Sequence, residues 1–300
     1  MSAPSTAVGP WTRRIFWAGV VAQCGIVVTG GLVRLTGSGL GCPTWPECTD
    51  ASYVPVRTQP EGYHRLIEFG NRLLTFVLAV VLVACIVAAW RHRPRRRPLV
   101  VLAAVGFLGI FAQAVLGGIT VLTGLNPWSV AAHFLLSVAL IAVAVVLAVR
   151  GSEAGDGPAA ATVRPELRIL ARILVVVAAL VLTVGTVVTG SGPHAGDART
   201  ARTGLDPRAI SWLHADLVLF FVGLVIALLL GLRLTDAPRS VRRRSWFLVA
   251  AIVAQGAIGY LQYFTGLPEG VVALHVLGAC VVWVATLVVL LSTRTRAVAV

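Results

Sequence analysis

Eight apolar stretches dominate this chain of 300 residues: roughly 15–33, 66–89, 99–121, 130–149, 169–190, 210–232, 246–264 and 271–292. A bilayer core about 30 Å thick is crossed by ~20 apolar residues in a helix. Inside lipid the backbone must satisfy its own polar groups, so runs of this length fold as helices. The chain is 57% hydrophobic, more than a soluble domain can bury. The predicted class is therefore an all-α integral membrane protein with eight transmembrane helices.

The net charge of +13 invites a nucleic-acid reading. Its placement argues against one. All 25 basic residues are arginine, and they gather in alternate connections: Arg13 and Arg14, RHRPRRR at 91–97, Arg150, Arg164 and Arg168, Arg239 and Arg242 to Arg244, then Arg294 and Arg296. The other connections mix arginine with Glu47, Asp50, Glu61, Asp197, Asp206 and Glu269. This asymmetry is the positive-inside pattern. It predicts cytoplasmic termini, outer loops at 34–63, 122–129, 191–209 and 265–270, and no nucleic-acid partner. No small-residue cleavage site follows the first apolar run, so that run reads as a retained anchor.

The second half of the chain repeats the first. QAVLGGITVLTGLNPWSVAAH, ending at His133, aligns without gaps to QGAIGYLQYFTGLPEGVVALH, ending at His275, at an offset of 142. VVTG recurs at 27–30 and 187–190. Four spans therefore repeat as four, which predicts two tandem pseudo-symmetric four-helix bundles related by an axis along the membrane normal. Residues 1–150 form one half and 166–300 the other. The Gly/Ala/Pro-rich segment 151–165 reads as a cytoplasmic linker.

Four histidines fall near the outer ends of spans: His64, His133, His214 and His275. Imidazole inside a membrane bundle is costly and usually functional. Facing imidazoles from neighbouring helices are how bundles hold metals and haems. Histidines bonded to backbone or lipid at the interface are the plainer alternative, and zinc lacks a completing ligand cluster. Aligning IEFGNRLL (67–74) with ISWLHADL (210–217) sets Asn71, not His64, opposite His214. His64 lies two turns earlier, ~10 Å along the helix, on the face shared by Glu68 and Asn71. Glu68 reads as an ion pair with Arg72, as a carboxylate at the site wall, or both. Arg34 and Arg72 are candidates for anionic groups or for loop solvation. Ser129 is a candidate cap for the fourth span. His92 reads as solvated and His194 as a loop histidine. The glycine pairs 30–31 and 117–118 read as points of close helix approach. The first outer loop is 17 residues longer than its counterpart and carries Cys42 and Cys48 around PTWPE. A disulfide is favoured there over a metal site, since no third or fourth ligand lies nearby.

GGLVRLTGSGLGCPTWPEC, EFGNR, and the two blocks ending at His133 and His275 together resemble the haem A synthase family, membrane enzymes that oxidise a methyl group of haem O to the formyl group of haem A for cytochrome oxidase. The resemblance covers nearly the whole chain. It implies eight spans in two pseudo-symmetric halves in a bacterial plasma membrane, with haem sites near the outer leaflet. It implies a haem b cofactor on His214 and His275, a substrate haem O on His133, a catalytic carboxylate at Glu68, and a cysteine pair at Cys42 and Cys48. It implies haem O synthase as donor, cytochrome oxidase assembly as recipient, and quinol or another membrane electron partner. The family pattern Glu-x-x-His-Arg is here Glu68-Phe-Gly-Asn71-Arg72. The second ligand of the substrate haem is accordingly His64, Asn71 or none. The second-half loop lacks the cysteines. A two-haem cytochrome b oxidising quinol and a haem carrier or exporter are the rival readings.

Overall fold

A computed structural model describes residues 6–297. Eight α-helices run α1 (Pro10–Leu35), α2 (His64–Arg91), α3 (Arg97–Leu122), α4 (Pro127–Gly151), α5 (Pro165–Ser191), α6 (Pro207–Leu234), α7 (Arg239–Phe264) and α8 (Glu269–Ser292). All eight are long and apolar enough to cross a membrane. Each extends past the apolar stretch that announces it, because proline at the first helical positions and polar residues near the ends lengthen a helix without adding hydropathy. Proline opens α1, α4, α5 and α6. Asn126, not Ser129, caps α4: its side chain accepts from the Trp128 amide, while the Ser129 hydroxyl donates to the Asn126 carbonyl. Trp128 is the second residue of the helix, where a cap side chain ordinarily bonds, and proline at position 127 gives up no amide that the cap would need.

The packing of helices repeats. Within residues 10–151, α1 packs on α2, α2 on α3, α3 on α4, and α4 back on α1; within 165–292 the same neighbours recur among α5, α6, α7 and α8. The two rings meet through α1 with α8, α4 with α5, and α4 with α8. The α4 and α8 helices carry the densest burial, and a bond from the Trp283 indole N–H to the Val138 carbonyl (3.0 Å) joins them. Outward faces stay apolar, with Phe76, Val80, Leu108, Phe220 and Val253 exposed. That is the inversion lipid demands, since lipid tails are as apolar as the core. Even the turns repeat. Gly124 and Leu125 (φ 61° and 60°) precede α4, and Gly266 and Leu267 (φ 77° and 62°) precede α8. A left-handed leucine costs ~1–2 kcal/mol. At the first turn that cost is offset by burying Leu125 against Gly39 and Gly196.

The segment between α4 and α5 is tied down rather than loose. Ala159–Ala161 pairs antiparallel with Arg294–Arg296. Arg96, almost fully buried, donates to the Glu153 and Gly155 carbonyls and pairs with Asp156 at 2.9 Å; Arg150 reaches the same carboxylate at 3.1 Å. Thr6 bonds the Ala154 carbonyl, and the His92 ring sits 3.0 Å from the Thr6 carbonyl, so His92 is engaged rather than merely solvated. At the opposite end Arg34 crosses between halves, donating to the carbonyls of His194 (2.6 Å) and Thr189 (3.0 Å). The His194 ring in turn contacts the Leu267 carbonyl at 2.9 Å. Arg34 thus closes a joint between the rings and does not lie free for an anion.

Candidate functional site

Three imidazoles occupy matching seats. His133 and His275 each follow the first residue of their helix, α4 and α8, by six positions, and His214 follows the first of α6 by seven. At ~1.5 Å per residue all three lie ~10 Å inside the helix ends. Each ring rests against a glycine of the preceding helix. A Cβ on Gly117 would stand 3.1 Å from Cε1 of His133; on Gly185, 3.2 Å from Cε1 of His214; on Gly259, 3.2 Å from Cε1 of His275. The glycines therefore hold rings against backbone. For Gly117 this refines the sequence expectation: its space is taken by an imidazole.

The fourth seat differs. Asn71 follows the first residue of α2 by seven positions, the register of His214 in α6. Gly25 is the α1 counterpart of Gly185, and a Cβ there would meet nothing within 4 Å. The shorter side chain leaves the seat open. A Cβ on Gly30 would stand 3.9 Å from the Asn71 amide nitrogen, and the buried Oδ1 of Asn71 has no hydrogen-bond partner. His64 is the first residue of α2, and its Nδ1 lies 2.8 Å from the Ser38 hydroxyl. It is thus occupied at the mouth of the bundle, two turns above Asn71.

Glu68 sits between them, buried beneath the long loop. Its Oε2 accepts from the Cys42 amide at 2.7 Å, and Oε1 takes Arg72 at 2.6 Å. Arg72 goes on to the carbonyls of Cys42 (3.0 Å), Thr44 (3.1 Å) and Glu47 (3.1 Å). A buried carboxylate is tolerated only when paired and hydrogen-bonded, and this one is both. Cys42 and Cys48 form a disulfide. The staple closes the stretch whose backbone Glu68 and Arg72 grip. From that stretch the Trp45 indole lies flat on α3: a Cβ on Gly118 would come within 2.4 Å of it. The second half has Tyr260 in that place, and it is largely exposed.

These groups fit a haem better than a metal held by protein alone. Among the described residues no three His, Cys, Asp or Glu side chains converge on a metal position. A haem iron needs only one or two imidazoles from the protein. The buried Nδ1 atoms of His133 and His214 make no hydrogen bond of normal geometry, although the Val181 backbone lies beside His214.

Sequence reasoning singled out Glu68, Asn71 and the histidines, but missed the Gly–His seats, the loop's grip on Glu68, and Trp45. The spacing from Gly117 to His133 equals that from Gly259 to His275, a signal present in the repeat.

Comparison with known proteins agrees with this architecture. Residues 13–200 match the COX15-CtaA family model, described as a cytochrome oxidase assembly protein. Curated relatives include the heme A synthase of Lysinibacillus sphaericus, 36% identical over 139 residues, which are 45% of this chain and 43% of that protein. The heme A synthase of Geobacillus kaustophilus is 34% identical over 109 residues, 36% of this chain and 32% of that protein. That of Listeria welshimeri is 33% identical over 130 residues, 43% of this chain and 42% of its own. The chain thus aligns with less than half the length of each of these relatives. The family match takes in Glu68, Asn71 and His133 and covers well over half of the chain, which belongs to the COX15-CtaA family of cytochrome oxidase assembly proteins.

Proposed function

We propose that this protein is a haem A synthase, an oxidoreductase that oxidises a methyl group of haem O to the formyl group of haem A. The observation that carries the reading is the asymmetry of the four seats: three glycine-backed imidazoles, and at the fourth an asparagine beside a buried, loop-held carboxylate. The second half, with an imidazole in each of its two glycine-backed seats, suits a permanently held haem b. The first half, with His133 alone in an imidazole seat, suits a haem that enters, reacts and leaves. Haem iron supplies the redox chemistry.

The chain's own residues supply position and proton handling. His133 would hold the substrate macrocycle, with His64, Asn71 or neither as its second ligand; His64 bonds Ser38 through Nδ1 alone, and Asn71 would bind only weakly. Glu68, fixed by the Cys42 amide and by Arg72, presents a carboxylate able to accept a proton from the reacting methyl or to order a water. Arg72 acts as the strut that joins this carboxylate to the stapled loop. The arginine pattern supports cytoplasmic termini, which sets the histidine end and its disulfide in the outer leaflet of a bacterial plasma membrane. Haem O synthase as donor and cytochrome oxidase assembly as recipient complete the reading; the oxidation takes its oxidant from outside the chain, with dioxygen supplying the oxygen and quinol or another membrane partner the electrons that reduce its second atom to water.

The test is the pigment extracted from the purified protein. Haem O and haem A beside haem B support the synthase. Haem B alone in two bis-histidine sites points to an electron carrier, and unaltered haem O to a carrier, and either result removes the proposal.

A further inference from the structure

Asp216 of α6 is a charge without a mate on a face turned to lipid. It follows His214 by two residues, a turn of ~200° about the helix axis, so it points away from the imidazole and out of the bundle. It is exposed, as are Trp212, Leu219 and Phe220 around it, and no described residue bonds or pairs with its carboxylate. The aromatic side chains exposed at this end of the bundle, Trp128, Trp212, Tyr260 and Tyr263, mark the headgroup level. Trp212 lies under the Arg208 guanidinium at 5.0 Å. Asp216 sits one turn deeper, ~6 Å along the helix, where lipid tails begin. An ionised side chain facing hydrocarbon is costly and ordinarily paired. Aspartate has no long stem on which to snorkel back to the headgroups. Seven residues further along the same face is Gly223, where a Cβ would meet nothing within 4 Å. Bare backbone there leaves a groove that a second helix can approach closely. The first half has neither feature. At the 143-residue offset that matches Asn71 to His214, Leu73 stands for Asp216 and Val80 for Gly223, both exposed and both satisfied by lipid.

We infer that the face of α6 from Trp212 to Gly223 docks a transmembrane helix of another membrane protein, one with an arginine or lysine at the depth of Asp216. Charge complementarity selects this occupant. A second copy of the chain in the same orientation brings no cation to that depth. The chain has no lysine, and the arginines in the histidine-side halves of its helices are Arg34, Arg65, Arg72 and Arg208. Carbonyl oxygens hold Arg34, Arg65 and Arg72. Arg208 lies two turns above the carboxylate. A two-fold contact of α6 with its own copy would set Asp216 against Asp216 and add repulsion. A cation from a different chain instead satisfies the carboxylate and is itself withdrawn from lipid. Gly223 brings the two backbones close enough to exclude lipid between them. Because the docked helix lies across α6 from His214, it leaves that seat clear, whatever group the seat holds.

The experiment uses the full-length protein in phosphatidylcholine vesicles. The probe is a synthetic leucine–alanine transmembrane helix with one arginine four residues inside its terminal tryptophan; a control helix has leucine in place of the arginine. Energy transfer from labelled protein to labelled helix reads association. The arginine helix should bind about tenfold more tightly than the control. Asp216→Leu should abolish that preference, Asp216→Asn should keep part of it through its side-chain carbonyl, and Gly223→Leu should weaken binding of the arginine helix. With no helix added, Asp216→Leu should unfold at a higher temperature than the wild type, because a charge has left lipid. Equal binding of the two helices to the wild type would overturn the inference. So would an arginine preference that survives Asp216→Leu. A less stable Asp216→Leu protein would mean that the carboxylate already has a mate within the chain, and would overturn it too. A wild-type dimer that Asp216→Leu makes monomeric would assign the face to a second copy, again against the inference.

Discussion

The two halves of this membrane protein share a backbone plan down to the left-handed Gly–Leu turn before α4 and α8, and share His133/His275 and Gly117/Gly259, yet they differ at several residues around the proposed site. Asn71 stands for His214, Gly118 for Tyr260, and Leu136–Ser137 for Gly278–Ala279. A 17-residue longer loop, stapled by Cys42–Cys48, covers only the first half. Duplication supplies two similar cradles; on the proposed reading a few side chains then make one retentive and the other reactive. The lesson is that a repeat is most informative where it fails.

The comparison breaks hardest at the charged site. Glu68→Gln removes the carboxylate that only the first half possesses. Haem A formation should fall by ~10²–10⁴-fold, with haem B content unchanged in the extracted pigment. Full activity in this variant would make the Glu68–Arg72 pair purely structural.

The glycine seats offer the next test. Gly259→Val or Gly185→Val should crowd the facing imidazole and deplete haem from the second half, since overpacking of this kind costs ~1–3 kcal/mol. Gly25→Ala should be neutral or stabilise α1 by ~0.5–1 kcal/mol, because its seat is open. Haem stoichiometry and thermal unfolding of the three proteins check this. Equal damage at Gly25 would mean that Asn71 fills the seat after all.

The loop is the third contrast. Replacing Cys42 and Cys48 by serine frees a short loop whose closure is worth ~2–3 kcal/mol in chain entropy. The loss should appear as faster protease cutting between residues 42 and 62 and as weaker binding of the first-half haem. The second-half haem should keep its spectrum.

The smallest effect belongs to the clasp at the other end. Burial favours the neutral form of Asp156, but Arg96 and Arg150 together hold its carboxyl below the usual value of 3.8. Its folded value is depressed, so its stabilising contribution is present above the ordinary carboxylate value and is lost as pH falls through the depressed one. Asp156→Asn should mimic that loss at neutral pH, by under ~1 kcal/mol, read as increased proteolysis of residues 152–163. Haem content should not change.

Much of this was legible in the chain. Apolar run length announced the eight helices, and the 142-residue offset announced which histidines match. Asn71 emerged from alignment alone as the odd member. Glu68 with Arg72 followed from i, i+4 spacing. What could not be read was anything carried by backbone atoms of distant loops. The Cys42 amide that grips Glu68 and the carbonyls that occupy Arg34 and Arg72 are present in every residue type, so no side-chain pattern marks them. The tied-down segment 151–165 was misleading for the same reason: its composition favours turns, while its order comes from Arg96, Asp156 and a strand pairing with residues 294–296.

By itself the sequence determined the solvent, the number of crossings and the duplication, because lipid forces long apolar runs into helices and because an unbroken repeat forces like structure. Only the tertiary structure decided the chemistry of each seat. A ring's neighbour is set by helix contacts between residues far apart in the chain. There the presence or absence of one imidazole against a facing glycine decides whether a seat is filled or left open.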